Sequence, residues 1–248
     1  MAFSKKALLP TVNILGTEIH RLSREHLLQL IEERYEEGIP TWIVTANAEM
    51  AVRAKEEAEV ADVLAKADLR LADGAGIVWA AKQMGSNVPE RLPGVEIAEE
   101  LVAWAAVNNL TIYMLGAGPG VAEEAVLELQ TRYPGLRIVG YHHGYFDEKQ
   151  ELDILDDIRK KKPNLLLVAL GAPRQEQWIA QHFPSLNTAI AVGVGGSFDV
   201  WAGRVKRAPT WMGERGLEWL YRLIKEPRRA KRMLALPRFV WYIKRESR

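Results

Sequence analysis

In the stretch LRLADGAG an apolar run ends on Asp73 and turns at once into glycine. A carboxylate placed there projects off the end of a strand into the cleft beyond it, where it can take a proton from a substrate hydroxyl. The same position suits an Asp that merely caps the next helix, and residue type alone fits both roles equally. Four other stretches put small residues after an apolar run: TAN (45–47), GAGPG (116–120), GAPRQE (171–176) and GGSFD (195–199). Such loops let backbone N–H groups approach a ligand, and several of them open a helix whose N-terminus favours anions. Gly118, Gly171, Gly195 and Gly196 are the points of closest approach, and Arg174 and Gln175 stand at a strand-to-helix junction where an ordinary exposed first turn explains them equally well.

GAGPG looks like a dinucleotide fingerprint and fails in detail: Val121 stands where the third glycine belongs, and no acidic residue follows at the required distance. A phosphate-approaching turn and a tight structural turn both remain open, while a nicotinamide-dependent oxidoreductase is disfavoured. His142 and His143 are adjacent in a strand pattern, so they are expected to face opposite ways, with no third histidine spaced to join them in a metal site. Cysteine is absent, which excludes disulfides, thiolate zinc sites and a cysteine nucleophile.

The elements that must position these loops follow from periodicity. TVNIL, TWIVTA, DLRLADG, LTIYMLG, RIVGYHH, NLLLVALG and TAIAVGVGG read as strands. They are separated by helical stretches: one from Ser23, a plain N-cap candidate, one over 47–66, and others after Gly74, at 95–109, after Gly120, and near 148–162 and 173–183. Short apolar strands alternating with helices imply a mainly parallel sheet covered on both faces, hence an α/β, Rossmann-like fold. In such sheets ligands bind beyond the carboxyl ends of the strands, where all five loops fall.

After Gly203 the pattern changes. GLEWLYRLIK places Leu217, Leu220, Tyr221 and Ile224 on one helical stripe; Pro227 is expected to begin or kink a second, cationic helix, and Pro237 to break it. The expected organisation is an α/β catalytic core over 1–202 and a basic, amphipathic helical appendage over 203–248. Charge divides the same way. From Gly203 onward there are 14 Lys and Arg against 4 Asp and Glu, whereas the preceding residues carry 19 against 28, although the whole chain of 248 residues is near neutral at +1. EPRRAKRM (226–233) is the densest cationic stretch. Interleaved with Trp219, Tyr221, Trp241 and Tyr242, these cations suit an anionic membrane interface, single-stranded nucleic acid or a plain solvated face. The acidic body speaks against a nucleic-acid-binding module, and no nucleic-acid partner is expected. No run reaches the roughly 18 apolar residues of a spanning helix, and MAFSKKALLPTVNIL lacks the apolar core of a signal peptide. A cytoplasmic protein associated peripherally with the inner face of the membrane is the expectation. The stripe from Leu217 to Ile224 leaves open intramolecular docking, a homo-oligomer interface or contact with lipid.

Taken in order, TANAEM, LADGAGIVWAAK, RLPGVEIAEEL, LGAGPGVAEEA, GAPRQEQWI, GVGGSFDVWAGRVKRAP and GLEWLYRLIKEPRRAKR resemble the WecG/TagA/CpsF glycosyltransferases, glycosyltransferase family 26, over about residues 11–240. The resemblance implies an inverting, metal-independent transferase without a cofactor. Such an enzyme moves an N-acetylmannosamine-type sugar from a UDP donor to GlcNAc on undecaprenyl diphosphate; the arrangement most resembles the teichoic-acid linkage enzymes, with another UDP-hexose donor, such as the uronic acid of N-acetylmannosamine, in surface polysaccharide synthesis as the alternative. It further implies Asp73 as the base acting on the acceptor 4-hydroxyl, with Thr45 and Gln175 beside it in the catalytic group. Asn47 and Arg91 become pocket residues, and Tyr145 and Asp199 nucleotide contacts. The matched loops add Gly118, Gly171, Arg174, Gly195, Gly196 and Arg207 to the substrate-binding set. Arg222, Arg229 and Arg232 match appendage arginines that reach a diphosphate. One departure is PRQE for the family's usual PKQE, so Arg174 replaces a lysine. Charge survives there, but fork geometry replaces a point charge.

Overall fold

A computed structural model describes residues 9–209, 212, 218–225 and 234–247 of the chain. It opens with a hairpin, β1 (Thr11–Ile14) and β2 (Thr17–His20), followed by α1 (Arg24–Glu36), which Ser23 caps by accepting from the His26 N–H. Then come β3 (Thr41–Ala46), α2 (Ala48–Glu56), α3 (Ala58–Ala65), β4 (Leu69–Ala72), α4 (Ala75–Gln83) and α5 (Gly94–Val107). The chain continues through β5 (Thr111–Gly116), α6 (Val121–Arg132), β6 (Arg137–His142), α7 (Glu148–Lys161), β7 (Leu165–Ala169), α8 (Arg174–His182), β8 (Ile190–Gly193) and α9 (Ser197–Trp201). Helices α10 (Glu218–Lys225) and α11 (Ala235–Glu246) complete the described elements.

Six strands form one sheet in the order β4-β3-β8-β7-β5-β6, every pair parallel, so all six carboxyl ends lie along one edge. The apolar run LLLVA of β7 is buried at every position because helices cover both faces. On one face Trp42, Val44, Tyr113 and Leu166 meet residues of α2, α3, α4, α7 and α8. On the other, Ile43, Ile112, Leu165 and Val192 meet α1, α5, α6 and α9. This is the α/β, doubly covered parallel sheet that the alternation of elements predicts.

Four local features depart from the sequence expectation. The strand β2 is not signalled by TEIH, three of whose four residues are polar or charged; it forms by pairing antiparallel with β1 and lies beside β4. There the Arg70 N–H donates to His20 Nδ1 at 3.0 Å and Arg70 Nε to the Glu18 carbonyl at 2.7 Å. The helix expected over 47–66 is two helices, parted at Glu57, whose backbone is extended at φ −123° and ψ 102° without a proline or glycine to announce it. Pro237 does not break the last helix but sits in its first turn, where a missing N–H removes no intrahelical bond. His142 and His143 do not diverge: β6 ends at His142, and the two ring centroids are 4.4 Å apart, with His142 Nδ1 2.8 Å from the His143 carbonyl oxygen.

The last helix lies on the body. Ala235, Phe239 and Ile243, spaced at four residues, are buried in the same core as α2 and α4, and the Phe239 ring centroid is 6.4 Å from that of Trp79. At the rim Glu56 accepts from Arg238 at 2.9 Å and from the Tyr242 hydroxyl at 3.2 Å, and Lys55 pairs with Glu246 at 2.8 Å. The opposite face exposes Val240 and Trp241, with the Arg245 guanidinium 5.5 Å from the Trp241 ring centroid.

Candidate active site

The carboxyl ends of β4, β3, β8 and β7 are neighbours, and the loops leaving them enclose a cleft of about 310 Å³. Each strand contributes through the residue type at its end. From β3 come Thr45 and then Asn47, whose Oδ1 accepts from the Met50 N–H at 3.0 Å and so caps α2. From β4 comes Asp73, whose N–H extends the sheet ladder onto the Ala46 carbonyl at 2.8 Å. Gly74, and not Asp73, occupies the N-cap position of α4, which leaves Asp73 one residue before it on the cleft wall.

Gln175 ties two of these loops together. Its Oε1 accepts from the Gly171 N–H at 3.2 Å, after β7, and from the Gly195 N–H at 3.1 Å, after β8. Its Nε2 donates to Glu176 Oε1 at 2.7 Å, and both side chains are buried. A Cβ at Gly193 would lie 2.6 Å from Gln175 Nε2, so the glycine at the end of β8 is what lets this amide cross beneath the loops. Far from decorating an exposed first turn, Gln175 is a brace under the cleft floor. Thr45 is accommodated in the same way: a Cβ at Gly94 would lie 2.7 Å from its Oγ1, so the glycine that starts α5 allows the helix end to close on β3.

Helices α2, α4, α5, α8 and α9 all begin at loops along this edge, and Gly94, Ala172 and Ser197 bring three of those beginnings to the cleft wall. Their first-turn N–H groups and dipoles favour an anion. Charged side chains on the wall are Glu49, Asp73 and Asp199 on one hand and Lys206 and Arg207 on the other. Among the described residues no group of three or more His, Asp or Glu could hold a metal ion.

Of the residues singled out by sequence, Thr45, Asn47, Asp73, Gly171, Gln175, Gly195, Gly196, Asp199 and Arg207 line this one cleft. Arg91, Gly118, Tyr145 and Arg174 do not. Arg174 reaches across to the loop after β6, donating to the Gly144 carbonyl at 3.0 Å with its guanidinium 5.1 Å from the Phe146 ring centroid. Tyr145, on that loop, is 72% exposed. Arg222 belongs to α10 but its side chain, like Arg229 and Arg232 entirely, lies outside the described residues. Sequence reasoning missed Glu49, Gly94, Gly193 and Lys206. For Gly94 a signal existed in the proline-glycine pair at a helix start; for Gly193 only the tertiary approach of Gln175 reveals the need.

The sequence model of the glycosyl transferase WecG/TagA/CpsF family matches residues 12–248. A protein of Bacillus subtilis (strain 168) named N-acetylglucosaminyldiphosphoundecaprenol N-acetyl-beta-D-mannosaminyltransferase is 34% identical over 222 residues, covering 89% of this chain and 86% of the relative. A protein of the same name from Staphylococcus aureus (strain MW2) is 31% identical over 250 residues, covering 100% of this chain and 98% of the relative. With a family match over nearly its whole length and such relatives aligned along most of theirs, the chain belongs to the WecG/TagA/CpsF family of glycosyltransferases.

Proposed function

We propose that this enzyme moves N-acetylmannosamine from UDP-N-acetylmannosamine to the 4-hydroxyl of GlcNAc carried on undecaprenyl diphosphate, in the synthesis of the wall teichoic acid linkage unit. The names of the relatives supply the acceptor and the sugar. The observation that carries the reading to this chain is the convergence of Asp73 and several helix N-termini in one cleft.

In this mechanism the acceptor O4 attacks the sugar C1 as the bond from C1 to the UDP oxygen breaks. The Asp73 carboxylate takes the hydroxyl proton, and a single displacement inverts the anomeric centre. Thr45 and Asn47 orient the sugars, while Gln175 acts through the backbone it braces. Negative charge grows on the departing diphosphate, so preorganised donors aimed there lower the barrier. Helix N-termini and cations fill that role without a metal ion, with the tail arginines Arg222, Arg229 and Arg232 as the cations, while Arg207 on the cleft wall binds substrate.

No helix among the described residues is long and apolar enough to cross a membrane. We place the enzyme peripherally at the inner leaflet, where its lipid acceptor resides, held by tail cations worth about 1 kcal/mol each near anionic lipid. The test is Asp73→Asn, assayed with UDP-N-acetylmannosamine and a short-chain lipid acceptor. The expected result is a loss of about 10²- to 10⁴-fold in transfer with an unchanged melting temperature. Near-normal turnover would remove Asp73 as the base.

A further inference from the structure

The segment that follows α9 runs along the cleft and is fastened at two points. At its start the Arg204 and Val205 N–H groups donate to the Asp199 carbonyl at 3.0 and 3.1 Å. The Arg204 guanidinium also forks onto both oxygens of Glu124 on α6, at 2.7 Å each. Val205, Lys206, Arg207 and Ala208 then line the cleft. At the second point Arg207 donates to Glu96 Oε1 at 2.9 Å. Glu96 is the third residue of α5, directly behind the Gly94 and Val95 that form the wall. Its other oxygen accepts from Arg24 at 2.7 Å, and Arg24 also pairs with Glu100 one turn further along α5.

A carboxylate beside a cleft arginine both offsets its charge and holds it in place. Glu96 divides its two oxygens between Arg24 and Arg207, and Arg24 also pairs with Glu100 and, at 4.0 Å, with Glu90. What this tether leaves for the cleft is a fixed set of N–H donors on Arg207. A guanidinium carries five N–H donors, and Glu96 engages one of them, leaving a fork for an anion. Partial burial alone would raise the Glu96 pKa, but the hydrogen bonds from Arg24 and Arg207 outweigh it and keep the carboxyl below its ordinary value, so the anchor is charged at neutral pH.

We propose that Glu96 is a positioning residue that holds Arg207 over the cleft in readiness for a substrate diphosphate. This rests on the glycosyl-transfer reading above, which supplies two such groups, one on the nucleotide donor and one on the lipid acceptor. Holding the side chain beforehand removes rotamer freedom that would otherwise be lost on binding, so the benefit falls on affinity.

The test is steady-state transfer by the full chain, varying donor at saturating acceptor and then acceptor at saturating donor. Glu96→Gln should raise one of the two KM values about tenfold while kcat stays within about threefold. A rise in the donor KM assigns Arg207 to the nucleotide diphosphate, and a rise in the acceptor KM assigns it to the lipid diphosphate. Arg207→Lys keeps the charge, loses the fork and leaves the Arg24 pairs with Glu96 and Glu100 in place, so it should reproduce the same KM rise even if Glu96→Gln folds poorly. Glu100→Gln perturbs Arg24 without touching Arg207 and should keep wild-type KM values. In an Arg207→Ala background, adding Glu96→Gln should change KM less than about twofold, since the two act as a unit. The proposal is overturned if both KM values are unmoved by Glu96→Gln and Arg207→Lys, if Glu100→Gln matches Glu96→Gln, or if Glu96→Gln costs as much without Arg207 as with it. A wild-type chain that transfers no sugar would instead refute the functional reading.

Discussion

The two halves of the sheet edge carry loops of the same kind and use them differently. Where β5 and β6 end, at Gly116 and Gly144, the space is filled by the protein itself. A Cβ at Gly116 would lie 2.4 Å from the Ala169 carbonyl group, and one at Gly144 would lie 2.8 Å from Leu170 Cδ2. Around Gly171 and Gly195, in the β7 and β8 loops, a Cβ would meet nothing within 4 Å. The first pair of glycines brings backbone against protein; the second leaves space against a wall of helix N-termini. GAGPG, the loop most like a dinucleotide fingerprint, thus lies outside this cleft, and open space at a glycine points to a ligand only where walls enclose it, since Gly38 and Gly135 are just as open.

The strongest way to test this contrast is Asp73→Asn, whose loss of about 10²- to 10⁴-fold in transfer should find no equal in any loop residue of the β5–β6 half. Next comes Gln175→Leu. Stripped of their acceptor, the Gly171 and Gly195 N–H groups shift the loops, and a displacement near 1 Å can cost about 10²-fold in kcat. The lost hydrogen bonds should also lower unfolding free energy by roughly 1–3 kcal/mol. A paired substitution separates the halves more finely. Gly116→Ala overpacks against Ala169 and should cost about 3 kcal/mol by denaturant titration, with transfer per folded molecule retained. Gly195→Ala should cost about 1 kcal/mol of backbone strain yet reduce transfer at least about tenfold, because the methyl stands in substrate space. Full activity of Gly195→Ala would erase the distinction.

The smallest effect concerns the sheet's flanks, since the hairpin seals the β4 side through His20. Burial, helped by the Arg70 charge, pushes its pKa down from 6.5 to about 4. The unfolded chain therefore binds the extra proton first, so the His20 contribution is complete above pH 6.5 and is lost as pH falls toward 4. At most about 1.4 kcal/mol is lost per pH unit in that window. Hydrogen-exchange protection factors, corrected for the intrinsic pH dependence, should fall in β2 and β4 between pH 6.5 and 5.5 while those of β5 hold, and His20→Gln, which can still accept from Arg70, should flatten the dependence.

Much of this was legible in the chain. The seven strands of the sequence reading stand where apolar runs put them, most plainly β3, β5, β7 and β8, because a strand buried on both faces must be apolar throughout, and α1 starts at its Ser23 cap. Asp73, Gly171, Gly195 and Asp199 were legible as strand-end residues, and the parallel order brought them together. What escaped was set by contacts distant in sequence. The strand β2 pairs with β1 and is tied to β4 by Arg70, and the break at Glu57 follows no local signal. Gly193 and Gly94 are required by side chains that arrive from α8 and β3. Arg174, in a loop that otherwise feeds the cleft, is drawn away by Phe146 and the Gly144 carbonyl.

The clasp between α11 and the body has a consequence for the order of folding. Arg238 and Glu56 are 182 residues apart in sequence, and Lys55 and Glu246 are 191 apart. Contacts of such span close late, since the chain between them must first be ordered. During synthesis the ribosome therefore releases α2 and α4, the helices that follow Asn47 and Asp73, long before Phe239 can cover Gly76 and Trp79. The half of the sheet edge that holds the cleft is the half completed last, and a nascent chain stalled short of α11 presents an apolar seam there to the chaperones of the cell.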